Sequence, residues 1–293
     1  MRVTNQQRWA FVRNALTTSQ NRFDELSNRA VTGLEIESPS DGAASWASVV
    51  RRSDRIQRLE SRQATVERAQ EDLAITEGTL AEANNLMIRV RELAVSLVDD
   101  TYSADDRAAA AIEVEELREQ MITLANTEGG RGYLFGGTAL ESPPFDATAT
   151  YLGNDAEMYV AIGEGQRMPI NITGSQAFAD PGGRDIFADL ENLVTALRTD
   201  DRAGINDGID AVTEGQDQLI RARGEAGIRL GRLRSVATVT ETAVTLALEQ
   251  QSEEQEVDLT EAIIDLTNAQ QSYQRAISVS QQIIQLTSLI EPF

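Results

Sequence analysis

GGRGYLFGGTALESPPF, residues 129–145, packs five glycines into nine residues, then an aromatic pair, then two prolines, in a chain that otherwise reads as long polar helix. A phosphate-binding loop of the GxxxxGK[ST] type needs a lysine on the phosphates and a strand-before, helix-after setting. The 293-residue chain has no lysine, since all 26 basic residues are arginine, and the setting is missing too. The stretch therefore reads as a boundary. Gly129 and Gly130 are expected to end a helix near Asn126, because glycine tolerates the left-handed cap conformation. Tyr133, Leu134 and Phe135 are expected to form a short apolar strand, with Gly136-Gly137 and Pro143-Pro144 turning the chain outward.

Beyond the boundary, EMYVAIGEGQRMPINIT (residues 157–173) alternates and is β-branched on both sides of GEGQ, the pattern of a β-hairpin. Pro143, Pro144, Pro181, Gly182 and Gly183 fence this region off. Helical patterns flank it. On the N-terminal side, Leu59, Val66, Leu73, Leu80, Met87 and Ala94 fall seven apart, while Gln63, Gln70, Glu77, Asn84 and Arg91 are polar. A helix of about fifty residues with a narrow apolar stripe is expected there. SPSDGAAS (residues 38–45) reads as the turn leading into it, with Ser40 or Asp41 as cap. A new helix starts at Ser103, with Asp105 and Asp106 in its first turn, and continues through Ala110, Val114, Leu117, Met121 and Leu124. On the C-terminal side come a helix over Phe187–Leu197 and a longer one from about Ile205 to Leu248, softened by Gly215, Gly224, Gly227 and Gly231.

The two ends carry coiled-coil periods. Trp9, Val12, Leu16, Ser19, Phe23, Leu26 and Ala30 alternate steps of three and four, as do Leu259, Ile263, Leu266, Gln270, Tyr273, Ile277, Ser280 and Ile284. A single helix over residues 256–290 spans roughly 50 Å, and one apolar stripe on such a rod needs a partner helix. Residues 1–33 hold five arginines against two acids, and residues 249–293 hold eight acids against Arg275. Opposite charge beside two apolar seams points to pairing of the termini. Trp9, Val12, Leu16, Phe23, Leu26, Leu259, Ile263, Leu266, Tyr273, Ile277 and Ile284 are candidates for an assembly interface. The order is nested: terminal coiled coil (1–45 with 255–293), helical bundle (46–128 with 186–254), outer β domain (129–185). The fold class is mainly α with a small β insertion.

Composition excludes several functions. A formal charge of −21 opposes nucleic-acid and anionic-membrane binding. No apolar run approaches a membrane span, and the first twenty residues lack the apolar core of a cleavable secretory signal. With no His, Cys or Lys, most nucleophilic and acid–base schemes are absent. A carboxylate-pair hydrolase is the remaining enzymatic reading, and it needs an aromatic-walled pocket that narrow-striped helices do not supply. No cofactor or metal site is expected: Asp99-Asp100 and Asp105-Asp106 lack the loop spacing of a calcium site. Arg51, Arg55, Arg58 and Arg62 lie at i, i+4, i+7 and i+11 on one helix face, either a solvated face or a docking stripe for an acidic neighbour.

MRVTN at the start, PSD at residues 39–41, RGYLFGGT at 131–138 and PPF at 143–145 together resemble the flagellar hook-associated protein 3 family, relatives of bacterial flagellin. The family motif falls on Tyr133, Leu134, Phe135, Gly136, Gly137 and Thr138. The sequence departs from the family where Gly42-Ala43 follow PSD, and in its last residues, SLIEPF. The resemblance implies a flagellin-like fold and a structural protein of the hook–filament junction, outside the cell on the flagellum, exported unfolded through the flagellar channel without a cleaved signal. It implies as partners other copies of the chain, hook-associated protein 1, flagellin and an export chaperone. A filament flagellin is the nearest alternative; a secreted coiled-coil adaptor is a more distant one, for it would not need the β insertion.

Overall fold

The computed structural model describes residues 5–99 and 102–290; nearly all of MRVTN, and Asp100, lie outside the described residues. In chain order the elements are α1 (Asn5–Thr32), a 3₁₀ turn (Pro39–Asp41), α2 (Ala43–Leu97), α3 (Ala104–Ala125), β1 (Glu128–Gly129), β2 (Gly132–Tyr133), β3 (Tyr159–Gly163), β4 (Gln166–Pro169), α4 (Gly174–Phe178), α5 (Ile186–Arg198), α6 (Arg202–Gln255) and α7 (Leu259–Ile290). The strands form two antiparallel ribbons, β1 with β2 and β3 with β4. Contacts divide the chain into two compact units, one of Met1–Arg58 with Val244–Phe293 and one of Leu59–Ala243.

The larger unit, Leu59–Ala243, has one continuous core drawn from α2, α3, α5, α6 and the segment between α3 and α5. Along α2 within this unit, Asp72 and Thr79 are buried beside a row of Val66, Ala69, Leu73, Thr76, Leu80, Ala83, Met87, Val90, Ala94 and Leu97. Their steps alternate three and four without interruption, so the stripe is a full seam and not the narrow one expected. The second series lies three residues after Val66, Leu73, Leu80 and Met87, at Ala69, Thr76, Ala83 and Val90; the polar series four residues on is half-buried or exposed. Ser103 caps α3 by accepting from the Asp106 amide (3.2 Å), while the Asp106 carboxylate accepts from the Ser103 amide (2.9 Å). This reciprocal box fixes the helix start read from the sequence. The hairpin of β3 and β4 also forms where expected, with Gly165 at φ +68 in its turn and an irregular register between Ala161 and Gly163.

The boundary stretch behaves differently from its sequence reading. Helix α3 closes at Asn126 with φ −101, outside the left-handed region, and Gly129 pairs with Gly132 in the β1–β2 ribbon. The glycines therefore make a tight ribbon and do not cap the helix. Leu134 and Phe135 follow the ribbon as buried residues outside any strand.

In the smaller unit, α1 packs along α7. Both long helical paths break near one level, and the breaks satisfy each other. Leu34 bridges Glu256; the Glu35 amide donates to the Gln255 carbonyl (2.8 Å) and the Val257 amide to the Gly33 carbonyl (2.9 Å). Gly33 turns the chain at φ +73. Asp41 reaches backward, accepting from the Glu37 and Ser38 amides at 3.0 and 2.7 Å, so it fastens the turn before it and does not cap α2. Nearby, Glu254 accepts from the Ser48 hydroxyl (3.0 Å) and Arg52 (2.7 Å).

Two predictions follow from these contacts. Leu80→Ala, in the core, lowers the stability of the larger unit by about 2–5 kcal/mol in denaturant titration. Gly224→Ala, in the middle of α6 with open space where its Cβ would stand, raises it by about 0.4–1 kcal/mol. The second prediction concerns pH. Asp41 is held below its ordinary 3.8, first by the Glu37 amide, and Glu254 below 4.5, first by the Ser48 hydroxyl. A depressed folded value adds stability above the unfolded value and loses it as pH falls. Amide exchange at Glu37 and Ser38 is therefore protected at neutral pH and accelerates, beyond the intrinsic trend, as pH drops below about 4.

Candidate assembly interface

The motif residues Tyr133–Thr138 form the centre of a knot of crossing backbone. Asp72, on the buried face of α2, accepts from the Gly130 amide (2.9 Å) and Arg131 Nε (2.6 Å), tying the glycine stretch to the helix. Asn126 clamps Phe145 from both sides: its amide donates to the Phe145 carbonyl and its oxygen accepts from the Phe145 amide, each at 2.9 Å. Two glycines are demanded by geometry. Gly132 has φ +120, and a Cβ there would stand 2.3 Å from the Leu140 carbonyl oxygen; Gly137 has φ +71, with the Asn154 carbonyl oxygen at 1.9 Å. Any side chain meets fixed backbone as well as an unfavourable dihedral. Thr138 points outward, its amide donating to Asn154 Oδ1 at 3.0 Å.

Inside the knot, Phe135, Phe145, Phe178 and Phe187 are buried together. Phe135 meets Phe178 edge-on at 5.1 Å, and Phe145 lies 5.0 Å from Phe187 and 5.1 Å from Tyr151. Edge-on and tilted pairs of this kind add to the area they bury. Burial, with the Asp155 charge, pushes the Tyr151 phenol up to about 12, so it remains a hydrogen-bond donor, reaching the Asn154 carbonyl at 2.9 Å. Asp72 and Asn126 were not singled out by the sequence reading. Asp72 directly precedes Leu73 of the seam, so a buried acid was the available signal, though its partner lies almost sixty residues away.

The terminal seam divides. On α1, Val12, Leu16, Ser19, Phe23, Leu26 and Ala30 are buried or half-buried, as their spacing predicts, whereas Trp9 is 44% exposed. On α7, the covered positions are Ala262, Leu266, Ala269, Tyr273, Ala276, Ser280 and Ile283, again in steps of four and three. Phe23 stacks on Tyr273 with centroids 5.9 Å apart. Ile277 is half-buried beside this row, while Leu259 and Ile263 are 54% and 58% exposed; the side chain of Ile284 lies outside the described residues. Trp9, Val12 and Leu16 line a shallow groove that Ser280 borders. Among the described residues of this unit, the buried apolar set is Val12, Ile36, Val49, Ile56, Ala247, Ala262 and Ala269. The large exposed set is longer and bulkier: Trp9, Phe11, Val31, Val50, Leu246, Leu248, Leu259, Ile263, Ile264 and Val279.

Long seamed helices, nested termini and a unit with more large apolar residues exposed than buried belong to a flagellin-like fold. The bacterial flagellin N-terminal helical region matches residues 3–139. The chain is homologous to flagellar hook-associated protein 3, a structural protein of the hook–filament junction, and is a component of the bacterial flagellum and not an enzyme. It is 27% identical to that protein of Escherichia coli K12 over 286 residues, 88% of this chain and 89% of the relative. With that of Salmonella typhimurium it shares 29% over 217 residues, covering 68% and 67%. The crystal structure of the Legionella pneumophila hook-associated protein 3 superposes with a TM-score of 0.62 at 14% identity, covering 70% of this chain and 98% of that one, which bears on the fold.

Gly137→Ala lowers the urea midpoint of the larger unit, by the equivalent of about 1–3 kcal/mol for the dihedral alone, with the backbone contact added. Phe135→Ala costs about 3–5 kcal/mol. A Gly137→Ala protein with an unchanged midpoint contradicts the backbone-crossing account.

Proposed function

We propose that the chain works as the junction subunit between hook and filament, and that its smaller unit is completed by neighbouring copies. The observation that carries this reading is the excess of exposed over buried large apolar residues in that unit. Large apolar residues exposed in this number, on helices whose stripes need partners, suit an interaction site. The phase of α7 supports it: its small residues and Tyr273 meet α1 within the chain, leaving Leu259, Ile263 and Ile264 for a second copy. Trp9 and Phe11 on α1 serve the same contact.

Other steps follow from this role. Export proceeds in an unfolded state through the flagellar channel without a cleaved signal, and a chaperone covers the terminal seams beforehand. Folding of the terminal helices is completed on assembly, when neighbours bury them. The chain sits on hook-associated protein 1 and presents a surface to flagellin. In this reading residues 1–45 with 255–293 carry the assembly contacts, and 46–128 with 186–254 and the β region 129–185 serve as the rest of the subunit.

Immunogold labelling of intact flagella with antibody to residues 140–185 tests the reading. A single band at the hook–filament border is expected; label along the whole filament instead makes the chain a flagellin. Ile263→Asp leaves the circular dichroism of the purified chain unchanged and removes the band, because the side chain is outside the intramolecular seam. Leu266→Asp strikes that seam directly and loses both.

A further inference from the structure

The surface of the smaller unit carries two rows of charge with one spacing. On α2, Arg51, Arg55 and Arg58 are exposed at i, i+4 and i+7. At the end of α6 and the break after it, Glu249, Glu253 and Glu256 are exposed with the same intervals. Each row extends about 10 Å along a helical rise. None of the six side chains makes an ion pair among the described residues, although Arg52, adjacent in sequence, is held by Glu254 at 2.7 Å. The Arg51 charge also acts on the Glu254 carboxylate, while Arg55 and Arg58 stay open. Arg62, the fourth arginine of the sequence stripe, is different: it is half-buried and lines a recess with Ile162, Gln166 and Arg232 in the larger unit.

We infer that the arginine row of one copy docks on the glutamate row of the next. The inference rests on the junction reading, which supplies a second copy, and adds which surfaces meet. Equal spacing lets three pairs register at once, Arg51 with Glu249, Arg55 with Glu253 and Arg58 with Glu256. The two rows lie on stretches that Arg52 and Glu254 join within one copy; where the glutamate row of a copy is taken by one neighbour and its arginine row by another, the contact repeats from copy to copy, closing a ring or continuing a helix. Each exposed pair is weak alone. Three in register set orientation and exclude a like-charged approach, while the apolar residues beside them, Leu246 and Leu248, add buried area.

The chain has no cysteine, which permits a clean test in cells lacking the native gene. Copies with Arg55→Cys are co-expressed with copies carrying Glu253→Cys, and isolated flagella are run on a non-reducing gel. A disulfide-linked dimer is expected from the mixture and not from either variant alone. In parallel, Arg51→Glu/Arg55→Glu/Arg58→Glu is expected to lose the junction band, and adding Glu249→Arg/Glu253→Arg/Glu256→Arg to restore it. A junction band without the dimer overturns the inference and leaves the junction reading standing. Charge reversal that blocks assembly and is not restored by the sixfold exchange overturns it in favour of an acidic face on a different flagellar subunit. Flagella lacking the chain altogether remove the junction reading and the inference with it.

Discussion

Everything in the larger unit depends on backbone passing close to backbone between α3 and α5. Gly132 against the Leu140 carbonyl and Gly137 against that of Asn154 let three short segments cross where four phenylalanines gather. Without those crossings the phenylalanines have no common site, although α5 still packs on α6, where Leu193 lies against Gly208 and Ile186 against Gly215. Asp72 and Asn126 then fasten the crossing to helices that already share a seam. The concentration of aromatics is notable in a chain with only seven phenylalanines: four sit in this knot, and the helical core is aliphatic.

The smaller unit has no equivalent centre. Its helix α7 meets α1 largely through small residues, with Phe23 stacked on Tyr273, and many of its bulky apolar residues, Ile263 and Ile264 among them, face out. The same chain thus holds one unit that completes itself and one whose apolar surface calls for a neighbour. That contrast gives physical content to assembly on delivery. A subunit can travel and be recognised while its terminal helices are still short of partners.

Much of this was legible in the sequence. The α1 seam, the Ser103 helix start and the β3–β4 hairpin follow from local spacing and capping chemistry, which act within a few residues. The α7 seam was displaced because Ile263 and Ile277 outweigh Ala262, Ala269 and Ala276 to an eye seeking large residues, whereas the packed face takes the small ones. The same bias hid Ala69, Ala83 and Val90 on α2. The glycine stretch follows the end of α3, as its sequence implies, but it lies within the larger unit, and its mechanism is not readable locally. The carbonyls that exclude a Cβ at Gly132 and Gly137, and the carboxylate that holds Gly130, come from distant parts of the chain.

The paired breaks at residues 33–36 and 255–257 have a mechanical meaning. Few backbone hydrogen bonds cross there, among them Glu35 to Gln255 and Val257 to Gly33, and they lie across the direction of the two segments. Sliding one segment along the other loads these bonds together, so the link is stiff in shear. Prising the segments apart loads them in succession, so it is compliant in peel.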